Sequence, residues 1–318
     1  MFISQAFKFK HDYWRYLIGV FVIFCFSQLG SIPLMFAAGK KIVSDGGNIM
    51  DLKDTSILMS VLESNLSFFL VLLSFAIGLL GIYLVIKYLH NQSFTTLTTA
   101  RKKVDWNRIW FGFGVISFIT VLITILDFNS NPGHFEVQFQ LKPFIILAII
   151  AIVMVPIQTS FEEYLFRGYL MQGIGVLTGN KWFPLLITSL IFGGLHFLNP
   201  EVEKMGNIVM VYYIGTGLFL GIITLMDEGM ELALGFHAGT NLTISLLVTS
   251  DWTVFQTHSI LKDLSEPSAG IEAIMPVFVV YPILLYIMAR KYKWTNWKEK
   301  LFGKVIPPPE PIVIEDNN

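Results

Sequence analysis

The sequence predicts an all-α, polytopic integral membrane protein with eight transmembrane helices and both termini on the inner side. Three observations support this. Of 318 residues, 54% are hydrophobic and only 14% are charged, against about 25% charged in an ordinary soluble domain. Uncharged runs of roughly the length that crosses a bilayer, about 20 helical residues, recur along the chain. Lys and Arg are distributed unevenly between the loops that those runs define, which orients membrane proteins.

The elements follow in order. The first run, 16–38, comes after a basic segment ending D-Y-W-R-Y and is too long for a cleaved signal. Runs at 65–86 and 109–126 give the second and third spans. The fourth, 143–161, ends at a charge cluster, yet 168–177 stays apolar. That helix therefore either continues well inward or bends back near Gly173–Gly179. Runs at 183–199, 207–226 and 232–250 follow, and the eighth, 273–289, is expected to kink at Pro276 and Pro282. With the N-terminus inside, sixteen of the 22 Lys and Arg residues fall on inner segments and six on outer loops. A basic aromatic segment, 291–300, is expected on the inner membrane face. Residues 1–300 read as one helical domain, with a motif core at 155–246. The Pro-rich 301–318 reads as a disordered cytosolic tail.

Composition excludes several functions. A net charge of −1 gives no footprint for nucleic acid, and the single Cys25 cannot form an internal disulfide or a Cys-based metal site. The expected surroundings are the lipid bilayer, in a bacterial-type inner membrane given the absence of an organelle signal. Oligomeric state is not legible.

The chemistry concentrates at Phe161–Tyr169, F-E-E-Y-L-F-R-G-Y, whose charges follow nineteen uncharged residues (143–161) and precede thirteen more (168–180). Ionised groups at membrane depth cost several kcal/mol each and are rarely left there without a task. Glu163 and Arg167 are four apart, in the favourable order for an ion pair. Glu162 points about 100° away and is left without a partner on its own helix, as a general base awaiting substrate would be. Among six histidines, only His196 and His237 fall inside spans. His196 closes F-G-G-L-H, and His237 opens H-A-G-T-N, where four-residue spacing places Asn241 on the same face. A single buried His is ordinarily a satisfied interhelical hydrogen bond; two of them beside an unpaired Glu and an Asn favour a site. If the chain turns near Asn180, Glu162 and His196 come level to within about 3 Å on adjacent antiparallel helices. Gly235 and Gly239 flank His237 with spacing that lets helix backbones approach, and Gly217 and Gly221 repeat it.

E-E-x-x-x-R in one span, F-x-x-x-H in the next and H-x-x-x-N two spans later resemble the CPBP (Abi) family of type II CAAX prenyl proteases and bacteriocin-processing membrane proteins. The resemblance covers about Val155–Leu246. It implies endoproteolysis of a membrane-associated peptide or protein, in a cleft open to the inner side. By motif position, Glu162 and His196 would activate a water, His237 and Asn241 would stabilise the oxyanion, and Glu163 with Arg167 would hold the helix. Zinc stays open as a cofactor: Glu162, His196 and His237 form a ligand set that zinc accepts, with Glu163 then the base. Two other functions use the same residues. Buried Glu and His also build proton or cation pathways in transporters, and the fold can serve as a non-catalytic scaffold.

Overall fold

In an apolar setting backbone N–H and C=O groups have to pair within their own segment, so the uncharged runs become helices. The computed structural model describes residues 1–267 and 270–307. Five of its helices are long and apolar enough to cross a membrane. They are α1 (Tyr13–Ser44), α2 (Ser64–Leu89), α3 (Trp106–Ser130), α4 (Leu141–Thr178) and, after α5 (Trp182–Leu195) and the short α6 (Pro200–Met205), α7 (Val209–Asp227). Then come α8 (Glu231–Leu247), α9 (Tyr281–Tyr292) and α10 (Trp297–Phe302).

Three of the eight expected spans are shorter than their uncharged runs. The run 183–199 yields a 14-residue helix, because Asn199 precedes Pro200 and takes an extended backbone, φ −70° and ψ 145°. The run 232–250 stops at Leu247, where Val248 enters a strand. The last run starts as a π-helical turn at Pro276–Val280 before α9, in keeping with the expected proline kink.

The fourth helix continues inward without a reentrant bend. It passes through a π-helical stretch at Tyr164–Leu170, resumes at Met171 and runs to Thr178. Gly179 ends it with a left-handed φ of 67°, which glycine adopts without steric penalty. The chain then reverses at Asn180, where the sequence places the turn.

The loop contacts fall into two groups at different ends of the helices. At the basic end, the Lys10 N–H donates to the His90 carbonyl at 3.1 Å, and bridges join Thr99 to Gly229 and Asn180 to Lys304. Arg101 reaches Asp227 at 2.9 Å and Glu231 at 3.0 Å, and Arg108 also pairs with Asp227. The other end carries a small sheet that a purely helical prediction misses. There β1 (Phe135–Val137) runs antiparallel to β3 (Leu261–Asp263), and β2 (Val248–Thr249) runs parallel to β3. Strands of two or three residues are too short to show an alternating pattern; they form because the two loops lie side by side and pair their backbone groups.

The largest core joins α7, α8 and α9 through Phe219, Ile223, Leu232, Phe236, Tyr281 and Leu284. A second core packs α1 and α2 on α4 through Ile23, Ile82, Phe161 and Tyr169. By contrast, α3 turns Trp110, Phe118, Leu122 and Leu126 outward, the distribution expected of a lipid-facing helix. Of the expected tail, 301–307 is pinned: Val305 is buried and its N–H donates to the Gly179 carbonyl at 2.9 Å. Residues 308–318 lie outside the described residues.

Candidate active site

The site is assembled from α4, α5 and α8, with α3 setting the height of α8. Glu163 and Arg167 form the expected i,i+4 ion pair at 3.0 Å, with side chains 0% and 1% exposed. The π-helical stretch begins immediately after Glu163; such stretches are frequent at functional sites. The Arg167 guanidinium lies 4.3 Å from the Phe192 ring centroid and donates to the Gly217 carbonyl at 3.3 Å. Removing one partner of a buried pair of this kind costs about 3–5 kcal/mol.

Helix α8 approaches α3 so closely that only glycine fits. A Cβ on Gly235 would lie 1.9 Å from the Ile109 carbonyl oxygen, and one on Gly239 would lie 2.7 Å from that of Phe113. This seating brings His237 to both carboxylates. Its Nδ1 is 2.8 Å from Glu163 Oε1, and its Nε2 is 3.4 Å from Glu162 Oε2. A carboxylate only accepts, so Nδ1 carries the proton. The neutral ring then presents a lone pair at Nε2, and the imidazolium donates at both nitrogens.

His196 sits one residue past the end of α5, not within it. Its Nδ1 donates to the Phe192 carbonyl at 2.8 Å, leaving Nε2 as an acceptor. Its ring stacks on Tyr213, with centroids 4.3 Å apart and planes at 23°. On α8, the Asn241 amide donates to Gln158 Oε1 at 3.1 Å, which leaves it a second hydrogen.

Glu162, His196, His237 and Asn241 all line one cavity of about 780 Å³, whereas Glu163 and Arg167 stand behind its wall. The expected residues therefore divide into four that face the cavity and two that support them. Apolar side chains of α1 and α2, among them Phe24 and Phe75, close one flank. The other limit is set by Asn199, Glu201, Trp252 and Asp263. The lining thus extends to residues of the sheet end and includes neither Lys181 nor Glu231. The sequence reading missed Gln158, Tyr213, Glu201 and Trp252. Only Gln158 left a signal, a polar residue one helical turn before Glu162.

Among the described residues, no group of three or more His, Cys, Asp or Glu side chains is arranged to hold a metal ion. In the trio Glu162, His196 and His237, each imidazole spends Nδ1, on Glu163 and on the Phe192 carbonyl, and keeps Nε2 free, an arrangement that metal-binding histidines also adopt.

Comparison with known proteins agrees with the motifs. The model of the family described as type II CAAX prenyl endopeptidase Rce1-like matches residues 141–243, a stretch that contains all six residues. The chain is 32% identical over 243 residues to the uncharacterized protein YyaK of Bacillus subtilis (strain 168), covering 76% of this chain and 80% of that one. No solved structure matches. Carrying the three motifs in order within a bundle of apolar helices, this integral membrane protein belongs to the Rce1-like family of type II CAAX prenyl endopeptidases.

Proposed function

We propose that the chain is an intramembrane endopeptidase of the glutamic type. The observation that carries this is the placement of His237 between Glu162 and Glu163, in a cavity that His196 and Asn241 also line. Peptide hydrolysis needs an activated water, a stabilised oxyanion and a proton for the leaving amine. Glu162 and His196 Nε2 are both acceptors, and a water has two hydrogens to give them. As that water attacks the carbonyl carbon, Glu162 takes a proton and returns it to the departing nitrogen. General-base assistance of this kind is worth about 10²–10⁴-fold. The second Asn241 hydrogen, and His237 Nε2 when protonated, face the developing negative charge. Glu163 fixes His237 through Nδ1, and Arg167 fixes Glu163.

The basic end is the cytoplasmic side, and the chain crosses a bacterial-type inner membrane eight times: by the five long helices, by α5, by α8 and by Pro276–Tyr292. The substrate is a membrane-associated peptide or protein whose scissile segment reaches the cavity from the sheet end or between the apolar flanks.

The test compares purified wild type with Glu162→Gln and His196→Ala, each incubated with a membrane-peptide library derived from a cell lysate. Cleavage by wild type that falls at least 100-fold in both folded variants supports the proposal. Equal processing by all three would leave a scaffold of the same fold as the better account.

A further inference from the structure

The sheet-side half of the cavity has no task in the hydrolysis described above, yet it holds two buried polar atoms without partners. Glu201, on α6, spends one oxygen on its own loop: Oε1 accepts from the Val254 N–H at 2.9 Å. Its other oxygen, Oε2, is buried with no hydrogen-bond partner among the described residues, and so is the indole Nε1 of Trp252. Both residues line the cavity. Buried donors and acceptors are nearly always paired, so two unmatched ones on one wall mark a place where a ligand completes the bonding.

The charge of the wall specifies the ligand. Among the described residues the lining contains three carboxylates, Glu162, Glu201 and Asp263, and no Lys or Arg. Asp263 accepts from the Ser265 N–H at 2.8 Å and, unlike Glu201, has no oxygen that is both buried and unpartnered, and Glu162 belongs to the hydrolytic group. Glu201 is left as the acidic acceptor at this end. It also shares the cavity with the chemistry: Glu201, Tyr213 and His196 all line it, and Tyr213 stacks on His196.

We infer that Glu201 and Trp252 form a substrate subsite for a Lys or Arg side chain, the cation pairing with Glu201 Oε2 and a neighbouring peptide carbonyl accepting from the Trp252 indole. A peptide strand supplies both groups at adjacent positions, which a free cation or an apolar chain cannot. This specificity rests on the endopeptidase proposal above. Burial holds the Glu201 carboxyl above the usual carboxylate range, a cost that an arriving cation offsets.

Two measurements separate the subsite from the hydrolysis. In the first, the full chain carrying Glu162→Gln is titrated in detergent with two N-acetylated, C-amidated tripeptides, Leu-Lys-Leu and its norleucine counterpart Leu-Nle-Leu, and binding is read from thermal shifts. The lysine peptide is expected to bind about tenfold more tightly, as a charge-assisted hydrogen bond allows. Adding Glu201→Gln, which keeps the acceptor for Val254, is expected to abolish that preference and leave norleucine binding unchanged. Equal affinity for the two peptides with Glu201 intact overturns the inference, and that comparison needs no variant at Glu201. In the second, wild type digests a peptide library. Enrichment of Lys or Arg at one fixed distance from the cut, lost in Glu201→Gln, supports the subsite. Cleavage without such enrichment refutes the subsite and leaves the endopeptidase standing. Lysine-selective binding with no cleavage at all refutes the endopeptidase and leaves Glu201 as a cation site.

Discussion

Glu163 Oε1 accepts from two cations or near-cations at once: Arg167 Nη1 at 3.0 Å and His237 Nδ1 at 2.8 Å. One carboxylate oxygen therefore ties the helix that carries Glu162 to the helix that carries His237. It also fixes which nitrogen of His237 faces the cavity. The support of the site is a single shared atom.

Arg167→Met strands the Glu163 charge in a site where both side chains are essentially unexposed, and is expected to cost about 3–5 kcal/mol. The double variant Glu163→Leu with Arg167→Met is expected to recover most of that loss without regaining peptidase activity, because His237 stays unanchored. Thermal unfolding in detergent beside a cleavage assay checks both. Full activity in the double variant would show that the anchor is dispensable.

Gln158 holds Asn241 through a 3.1 Å hydrogen bond and acts as a positioning residue. Asn241→Ala is expected to lower kcat by about 10²–10³, the usual cost of losing one oxyanion donor, with little change in KM. Gln158→Leu is expected to lower kcat less, by about tenfold, also at constant KM, since it disturbs a donor that is still present. A KM effect in either variant would instead place the pair in ground-state binding.

Gly235→Ala inserts a Cβ that would lie 1.9 Å from the Ile109 carbonyl oxygen. Backbone cannot give way as a side-chain tip does, so α8 must move off α3. A loss of about 1–3 kcal/mol is expected from overpacking, with activity reduced further as His237 leaves its carboxylates. Gly114, whose added Cβ would meet nothing within 4 Å, is the control: Gly114→Ala is expected to leave activity unchanged and stability unchanged or higher by up to about 1 kcal/mol.

Stability against pH reports on Glu201. Burial raises its carboxyl above the usual carboxylate range in the folded protein, so between the unfolded and folded values the native state holds a proton that the unfolded chain has released. Stability therefore falls as pH rises through that window and levels off above it. Glu201→Gln removes this slope and is expected to unfold at higher temperature near neutral pH, each kcal/mol appearing as about 2–4 °C. Unfolding curves at several pH values decide it; parallel slopes in both proteins would show the carboxyl to be solvated.

The sequence by itself determined the apolar runs, the two groups of loops, the Glu163–Arg167 pair and the four side chains that share the cavity. Each depends on short-range periodicity or on the cost of placing charge in lipid, and both are written in local order. It also placed the turn at Asn180, which levels Glu162 with His196. Tertiary structure alone decided the rest. The pairing of β1 with β3, the link from Glu163 to His237, the bond from Gln158 to Asn241 and the contact of Glu201 with Val254 join residues at least 53 positions apart. The direction in which the cavity leads also follows from packing, since glycines on α8 set its height against α3. Contacts across such separations depend on how helices seat against one another, and no local pattern of residues carries that information.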